Sequence, residues 1–547
     1  MASTGQYPTV HQALARSLFE NGVDTIFGLM GDANMFMVRS YIRECGGTFV
    51  AASHEAGAAT MALGYSSLSG KPGVCSVTHG PAMVNTATAL AHGVKASLPM
   101  VLLCGDTDAE DREHTQNIAQ RPFVVAAGAG FEQLRSPKTV GQDVARALRR
   151  AQLERRPVAL NIPYEFDWQE AEAFRPIRVH LPERRGIVSA SADLDDAIGI
   201  IATAKRPVVL VGRGAVSPRA KTAIGRLAAR IEAPVCTTLK AKDLFRGEDF
   251  NLGICGTVST PVAVETLMDS DCIIAFGASL NKFTLSRGAF ARGKRIIQVN
   301  LEPTELGGNV EVTAGLVGDP ASVADLIVHW LDAADAAPSG YRTDELRRKL
   351  AAESIEPFTR ADNQEGSVDF LRALGRLHQI LPADRILVTD VGRFMLKAWT
   401  LIGVQGPGSF VMTNDFGSIG LGLSHAIGAS FAAPGRPVVL VCGDGGFMHG
   451  GLIEFNTAVR HRVNLIVVVC NDAAYGAEHN TLLKRQLEPD TILFDWPDLA
   501  SAAIALGGAG VTVAAESDWE AAEAAIKGRS GPLLIDVKLD FQRMPEF

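Results

Sequence analysis

The sequence predicts an α/β protein made of three doubly wound parallel-sheet domains, and three observations carry that prediction. Short, almost wholly apolar runs such as Val438–Cys442 and Leu465–Cys470 are bounded by Gly, Asn and Asp, the pattern of strands buried on both faces of a parallel sheet. Such runs recur, with helical periodicity between them, along a chain of 547 residues that is too long for one core. The composition agrees: 47% hydrophobic residues, 54 Gly and only 6% aromatics suit α/β layers better than a disordered or disulfide-built chain.

Taken in order, Thr9–Asn21 carries apolar residues at helical spacing and leads to a first strand at Thr25–Leu29, then the turn Gly31-Asp32-Ala33-Asn34. A second strand near Thr48–Ala52 ends at His54-Glu55, where a carboxylate opens a helix of small residues. Taken alone, Glu55 reads as a cap that complements the helix dipole. Lys71–Thr78 gives a third strand, followed by His79-Gly80-Pro81, and His79 reads equally well as a substrate-facing proton carrier or as a loop histidine. The runs Pro99–Cys104 and Arg156–Pro163 follow, separated first by a polar loop, Gly105–Arg121, that contains His114 and Gln116.

A Pro- and Arg-rich linker, Arg175–Arg185, separates this N-terminal domain (residues 1–175) from a middle domain (186–335). There the runs Arg206–Val211, Pro234–Thr238, Cys272–Gly277 and Arg295–Val299 alternate with helical patterns, a second doubly wound unit. Asp332–Arg342 forms the second linker. The C-terminal domain (360–547) opens with an amphipathic helix near Val368, then the strand Arg385–Val388 and the turn Asp390-Val391-Gly392-Arg393-Phe394.

A net charge of −8 with no basic run argues against a nucleic-acid partner. Eight Cys without C-x-x-C spacing read as reduced core residues in a cytoplasmic protein. The first residues lack a charged region followed by an apolar stretch, and no apolar run approaches ~20 residues, so neither export nor a membrane span is expected.

Chemistry concentrates where two apolar runs end, in Gly443-Asp444-Gly445-Gly446 and in Asn471-Asp472. Ligands sit off the carboxyl ends of strands in an open α/β sheet, so both clusters should emerge on one rim. Carboxylate oxygens beside exposed backbone N–H groups suit a hard divalent cation together with phosphate. Gly-Asp-Gly alone would be a tight turn between strand and helix; paired with a second acid it reads as a metal–diphosphate site.

Gly-Asp-Gly followed about one βα unit later by Asn-Asp resembles the signature of thiamine diphosphate (ThDP) enzymes, and His54-Glu55-Ala56-Gly57-Ala58-Ala59 is similar to their glutamate motif. The resemblance runs over nearly the whole chain. It implies Mg²⁺ held by Asp444, Asp472 and the Ala474 carbonyl. Asn471 is the alternative to Asp472, since the spacing 472 − 444 = 28 is one residue longer than usual, with the surplus in Gly446–Ile453. It also implies that Glu55 hydrogen-bonds N1′ of the cofactor's aminopyrimidine and so turns the neighbouring 4′-amino group into a base. Gly417-Ser418-Ile419 resembles the segment beneath the cofactor, with Ile419 as its apolar wedge. Gly392, Arg393, Gly443, Gly445, Gly446, Tyr475 and Gly476 complete the implied cofactor contacts. Arg393-Phe394 replaces the Gln-His of acetolactate synthases, and Arg393 meets either a diphosphate oxygen or a surface carboxylate. In the middle domain Gly212-Arg213-Gly214 is a weak nucleotide signal. The stretch Gly277-Ala278-Ser279-Leu280-Asn281 lacks the charged residues of FAD-binding relatives, so the reading is against FAD.

Two branches of the family compete for the activity. Decarboxylases have an Asp in the first βα turn, a His pair in the polar loop and a Glu after the metal segment. Here Asp32 stands 55 − 32 = 23 residues before Glu55, His114 follows Glu113 where the pair would be, and Glu478 lies six residues after Asp472. Gln116 matches a glutamine that borders the substrate pocket in the family. The stretches at 70–74, 98–101 and 454–459 lean instead toward acetolactate synthases. The resemblance therefore implies a ThDP- and Mg²⁺-dependent carboligase with a 2-oxo acid donor. A decarboxylase that releases an aldehyde is the runner-up, and a ThDP-fold binding protein that does no chemistry is the reading from another class. In the family Glu55 and the diphosphate site come from opposite subunits, so a homodimer or homotetramer with sites at the subunit interface is expected.

Overall fold

The computed structural model describes residues 7–181, 186, 191–353, 365–540 and 542–544. The last four residues of the expected first linker, 182–185, and the expected start of the C-terminal domain at 360 lie outside them.

Three parallel six-stranded sheets form the framework. The first contains β1 (Thr25–Gly28), β2 (Thr48–Ala51), β3 (Gly73–Val77), β4 (Met100–Asp106), β5 (Gly130–Gln133) and β6 (Pro157–Pro163), in the order β2-β1-β3-β4-β6-β5. The second contains β7 (Pro207–Val211), β8 (Val235–Thr237), β9 (Asn251–Ile254), β10 (Cys272–Phe276), β11 (Arg295–Asn300) and β12 (Ala314–Val317), in the order β12-β11-β10-β7-β8-β9. The third contains β13 (Ile386–Thr389), β14 (Phe410–Met412), β15 (Val438–Gly443), β16 (Leu465–Asn471), β17 (Ala509–Val513) and β18 (Leu533–Lys538), in the order β14-β13-β15-β16-β18-β17.

Each order reverses direction, the first and third sheets a second time where β5 and β17 lie outside β6 and β18, and the first reversal in each opens a crevice beyond the strand ends. The crevices fall between β1 and β3, between β7 and β10, and between β13 and β15. The fully apolar strands β15 and β16 register residue for residue from Val438↔Leu465 to Gly443↔Cys470, so the polar residues that follow them leave the sheet side by side. Five strands not predicted from the sequence, β5, β9, β12, β14 and β17, are all sheet edges. An edge strand is covered on fewer sides and needs no long apolar run. β18 is interior, but the buried Asp536 interrupts its apolar pattern.

The chain divides into two compact units. One holds the first and third sheets, which share one hydrophobic core containing Phe27 and Val77 from the first and Leu440 and Phe455 from the third part of the chain. Within it the helices Glu55–Ser69 and Gly422–Ala432 meet backbone to backbone. A Cβ on Gly428 would collide with the Met61 carbonyl, and one on Gly64 with that of His425. The other unit holds the second sheet, where a Cβ on Gly212 would strike the Gly277 carbonyl and one on Gly277 would strike the Gly214 backbone.

Beyond β15 the chain enters a helical turn at Asp444–Gly446, a π-helical turn at Phe447–Gly451 and then the helix Leu452–Arg460. A π turn absorbs one extra residue, and it falls in the interval where the sequence has a surplus. No helix among the described residues is long and apolar enough to cross a membrane. All eight cysteines are free, and all but Cys45 are buried.

Candidate active site

The residues expected to act gather in two groups, each on the carboxyl rim of a sheet. In the first sheet the neighbouring strands β2, β1, β3 and β4 deliver Glu55, Asp32, His79 and the loop with His114. Glu55 is the first residue of its helix, and its carboxylate accepts a 3.0 Å hydrogen bond from Asn85 Nδ2. Asn85 ends the short helix Pro81–Asn85 that starts just after His79, so one element holds the acid and carries the imidazole.

Asp32 and His79 flank the β1/β3 crevice. Asp32 Oδ2 lies 3.8 Å from His79 Nε2, and the His79 and His114 rings meet edge to face at 5.0 Å. His79 is buried and its Nδ1 has no hydrogen-bond partner, whereas Asp32 is exposed. Partial burial pushes the Asp32 carboxyl up, but the Thr78 hydroxyl at 2.7 Å, His79 and the Ala33 N–H outweigh it and hold the group below its ordinary value. His114 Nδ1 accepts from the Gln116 N–H at 3.2 Å. Gln116 crosses over Gly80, where a Cβ would strike its carbonyl. Buried Gln120 fixes this crossing: its Oε1 accepts from Gly80 N at 2.9 Å, and its Nε2 donates to Asn161 Oδ1 at 2.6 Å.

In the third sheet, β13, β15 and β16 deliver the second group. Asp444 and Asp472 are both buried. Burial and the neighbouring Asp472 carboxylate push Asp444 up to about 7, against the pull of a 2.7 Å hydrogen bond from Trp496 Nε1. Burial likewise raises Asp472, although Arg393 grips its Oδ2 through Nε at 2.6 Å and Nη2 at 2.5 Å. Arg393 therefore meets a buried carboxylate rather than a surface one, in a slot left by Gly476, where a Cβ would overlap the guanidinium stem. The Asn471 amide is committed elsewhere, donating to Asp536 Oδ1 at 2.8 Å and accepting from Ala473 N at 3.2 Å. Of the two alternatives it is Asp472 that faces Asp444.

Ala473 takes a left-handed conformation, φ 52°, and buried Ala474 then bridges to Leu493. Tyr475 lies over Gly445, where a Cβ would strike its ring. Phe394 lies against Gly392 and Gly443. Gly417, with φ 74°, and Ser418 lead into a turn that starts at half-buried Ile419, and Gly420 N donates to Asp390 Oδ2 at 2.9 Å. Glu478 is exposed on the helix Gly476–Lys484.

The sequence reading missed four residues. Asn85 follows the His79-Gly80-Pro81 turn and Asp390 opens the Asp390–Phe394 turn, but no spacing announces that one holds Glu55 and the other ties down the turn before Gly422. Trp496 lies in a stretch of mixed apolar and acidic residues with no motif. Glu454, whose carboxylate accepts from Ser53 N and His54 N, sits 401 and 400 residues away from those partners.

The donor set around Asp444 fits a hard divalent cation. Two neighbouring carboxylates are buried and raised by that burial, and they offer oxygen ligands, although Trp496 Nε1 holds one oxygen of Asp444 and Arg393 one of Asp472. Three doubly wound sheets whose crevices carry acids, imidazoles and glycine turns belong to the class of α/β enzymes that act on ligands at strand ends.

Comparisons with known proteins make the assignment specific. Residues 8–125 match the thiamine pyrophosphate enzyme N-terminal TPP binding domain, 194–327 the central domain and 390–537 the C-terminal TPP binding domain. A protein named as a probable 2-ketoarginine decarboxylase of Pseudomonas aeruginosa is 29% identical over 97% of this chain and 94% of its own. A sulfoacetaldehyde acetyltransferase of Alcaligenes xylosoxydans xylosoxydans is 29% identical over 86% of this chain and 82% of its own, and the large subunit of Escherichia coli acetolactate synthase isozyme 2 is 27% identical over 97% and 95%. The chain belongs to the ThDP-dependent enzyme family, as an enzyme of lyase or transferase type.

Proposed function

We propose that this enzyme depends on Mg²⁺ as well as ThDP, takes a 2-oxo acid, removes its carboxyl group as CO₂ and releases the remainder as an aldehyde. The observation that carries this reading is the Asp32–His79–His114 cluster at the β1/β3 crevice. Cleavage next to a carbonyl leaves a carbon that must gain a proton before an aldehyde can leave, and this rim is furnished with proton carriers. ThDP, when bound, supplies a thiazolium that stabilises the carbanion left by the departing carboxylate.

The chain's own residues have separate tasks in this reading. Asp444, Asp472 and the Ala474 carbonyl would hold the ion. Gly445 and Gly446 would let a diphosphate approach the backbone, and Arg393 lends positive charge to that rim while steadying Asp472. Ile419, on the turn that Asp390 ties down, would support the cofactor from below. Glu55, oriented by Asn85, would hydrogen-bond the aminopyrimidine nitrogen and share its proton. Asp32, held ionised, orients the His79 ring, and His79 passes a proton toward the substrate, with His114 edge-on beside it. Glu55 and the ion site serving one cofactor would come from two subunits, which makes a homodimer the smallest active form.

Carboligation is the second reading. It is favoured by the synthase-like stretches in the sequence and by relatives named as an acetolactate synthase and an acetyltransferase. A panel of 2-oxo acids, offered with and without aldehyde acceptors, separates the two. Free aldehyde supports decarboxylation, acyloin formed in its place supports carboligation, and no turnover of any donor overturns both.

A further inference from the structure

The role proposed for Glu55 requires its carboxylate to be held to within a few tenths of an ångström, yet Glu55 lies at a helix start, directly after a turn. The structure assigns the holding of that turn to Glu454. We propose that Glu454 is a positioning residue, clamping the backbone that carries Glu55 from the other half of the same chain; this rests on the proposed role of Glu55.

The clamp is built on one face of the helix Leu452–Arg460, where Glu454, Thr457 and Arg460 follow at intervals of three residues. Glu454 is fully buried, and its Oε1 accepts from His54 N at 3.0 Å and from Ser53 N at 3.2 Å. Its Oε2 accepts from the Thr457 hydroxyl at 2.6 Å, which fixes the rotamer. Ser53 and Thr457 share a hydroxyl–hydroxyl bond of 3.0 Å, and Arg460 Nη2 donates to the Ala51 carbonyl at 2.9 Å and to Thr457 Oγ1 at 2.8 Å. Every residue from Ala51 to His54 except Ala52 is thus gripped by this helix.

Two further features belong to the same device. A carboxylate at the start of the Glu55–Ser69 helix meets its positive end, and a buried anion with several donors is directional as well as strong. Gly57, the third residue of that helix, leaves the space that the Glu454 carboxylate fills; a Cβ there would overlap Oε1. Glu454 points at none of the proposed reacting groups, so its effect on them runs through the position of Glu55.

The test compares Glu454→Gln with Glu55→Gln in the cofactor-loaded enzyme and reads deuterium exchange at C2 of bound ThDP by quench and NMR, which needs no substrate. Glu454→Gln puts an amide where the turn needs an acceptor. The expected result is exchange and kcat both slowed about 10- to 100-fold, with KM and ThDP affinity within about threefold. Exchange at the parent rate in Glu454→Gln, while Glu55→Gln abolishes it, overturns the clamp and leaves the Glu55 reading standing. Unchanged exchange in Glu55→Gln overturns that reading itself, and the clamp with it. Should Glu454→Gln fail to fold, Thr457→Val decides. It keeps the shape but loses the 2.6 Å hydrogen bond, and a fall of about 3- to 10-fold supports the clamp while an unchanged rate overturns it.

Discussion

Lowering the pH should weaken the ion site in a way that identifies Asp444 as the group responsible. Burial and Asp472 push its carboxyl from an ordinary value of 3.8 up to about 7. A cation can bind only after that proton leaves. With a midpoint near 7, the ionised fraction is about nine tenths at pH 8 and about one tenth at pH 6, so the Kd for Mg²⁺ should be about tenfold weaker at pH 6. An unshifted carboxyl would give no change over this range.

The linked effect on stability has a definite sign. A carboxyl whose folded value is raised stabilises fully below its unfolded value, and that contribution is lost as pH climbs through about 7. On this account the ion-free protein is less stable at pH 8 than at pH 6, and added Mg²⁺ restores more at pH 8. Calorimetric titration of Mg²⁺ in buffers of different ionisation enthalpy reads both affinity and protons released. It is done without ThDP, so that diphosphate protons do not enter. About 0.9 proton should leave per ion at pH 6 and about 0.1 at pH 8. A Kd that changes less than about twofold across this range, with no proton released at pH 6, would refute the reasoning.

Glu55→Gln should abolish turnover while ThDP affinity, measured by fluorescence quenching, stays within about tenfold, because at most one hydrogen bond to the cofactor is weakened. Arg393→Met should destabilise the ion-free protein by about 3–5 kcal/mol in urea unfolding, since it strands the buried Asp472 carboxylate. Saturating Mg²⁺ should recover much of that loss, and an equal loss with and without the ion would separate Arg393 from the ion site. His79→Asn should slow aldehyde release at least about tenfold without slowing C2 deuterium exchange, and a loss of exchange instead would move His79 from product release to cofactor activation.

Much of the fold could be read in the sequence because a strand buried on both faces must be apolar throughout. Val438–Gly443 and Leu465–Asn471 announce themselves in this way, and the loops after them carry the acids. What stayed hidden was whatever relaxes that demand. Edge strands such as Asn251–Ile254 need no apolar run, and Leu533–Lys538 has Asp536 inside it to receive the Asn471 amide and the Lys538 ammonium. In the site, residue types and their place after apolar strands marked Asp444 and Asp472, since a hard cation needs oxygen ligands, while Glu55 and Asp32 were marked by the family resemblance. Supporting residues carry no such mark. Asn85, Trp496 and Glu454 act through side chains brought close only by folding, and the partner of Arg393 depended on a slot that Gly476 leaves open.

The central claim is that Glu55 of one subunit and the ion site of another close on one cofactor, and mixing two dead variants tests it most directly. Glu55→Gln and Asp444→Asn are each inactive on this account, but a mixed dimer has one site with both parent residues and one with neither. Unfolding and refolding the variants together at equal concentration should make about half of the dimers mixed and restore about a quarter of the parent activity. Activity that stays at the level of the separate variants, with mixed dimers shown to form by differential tagging, would contradict the account.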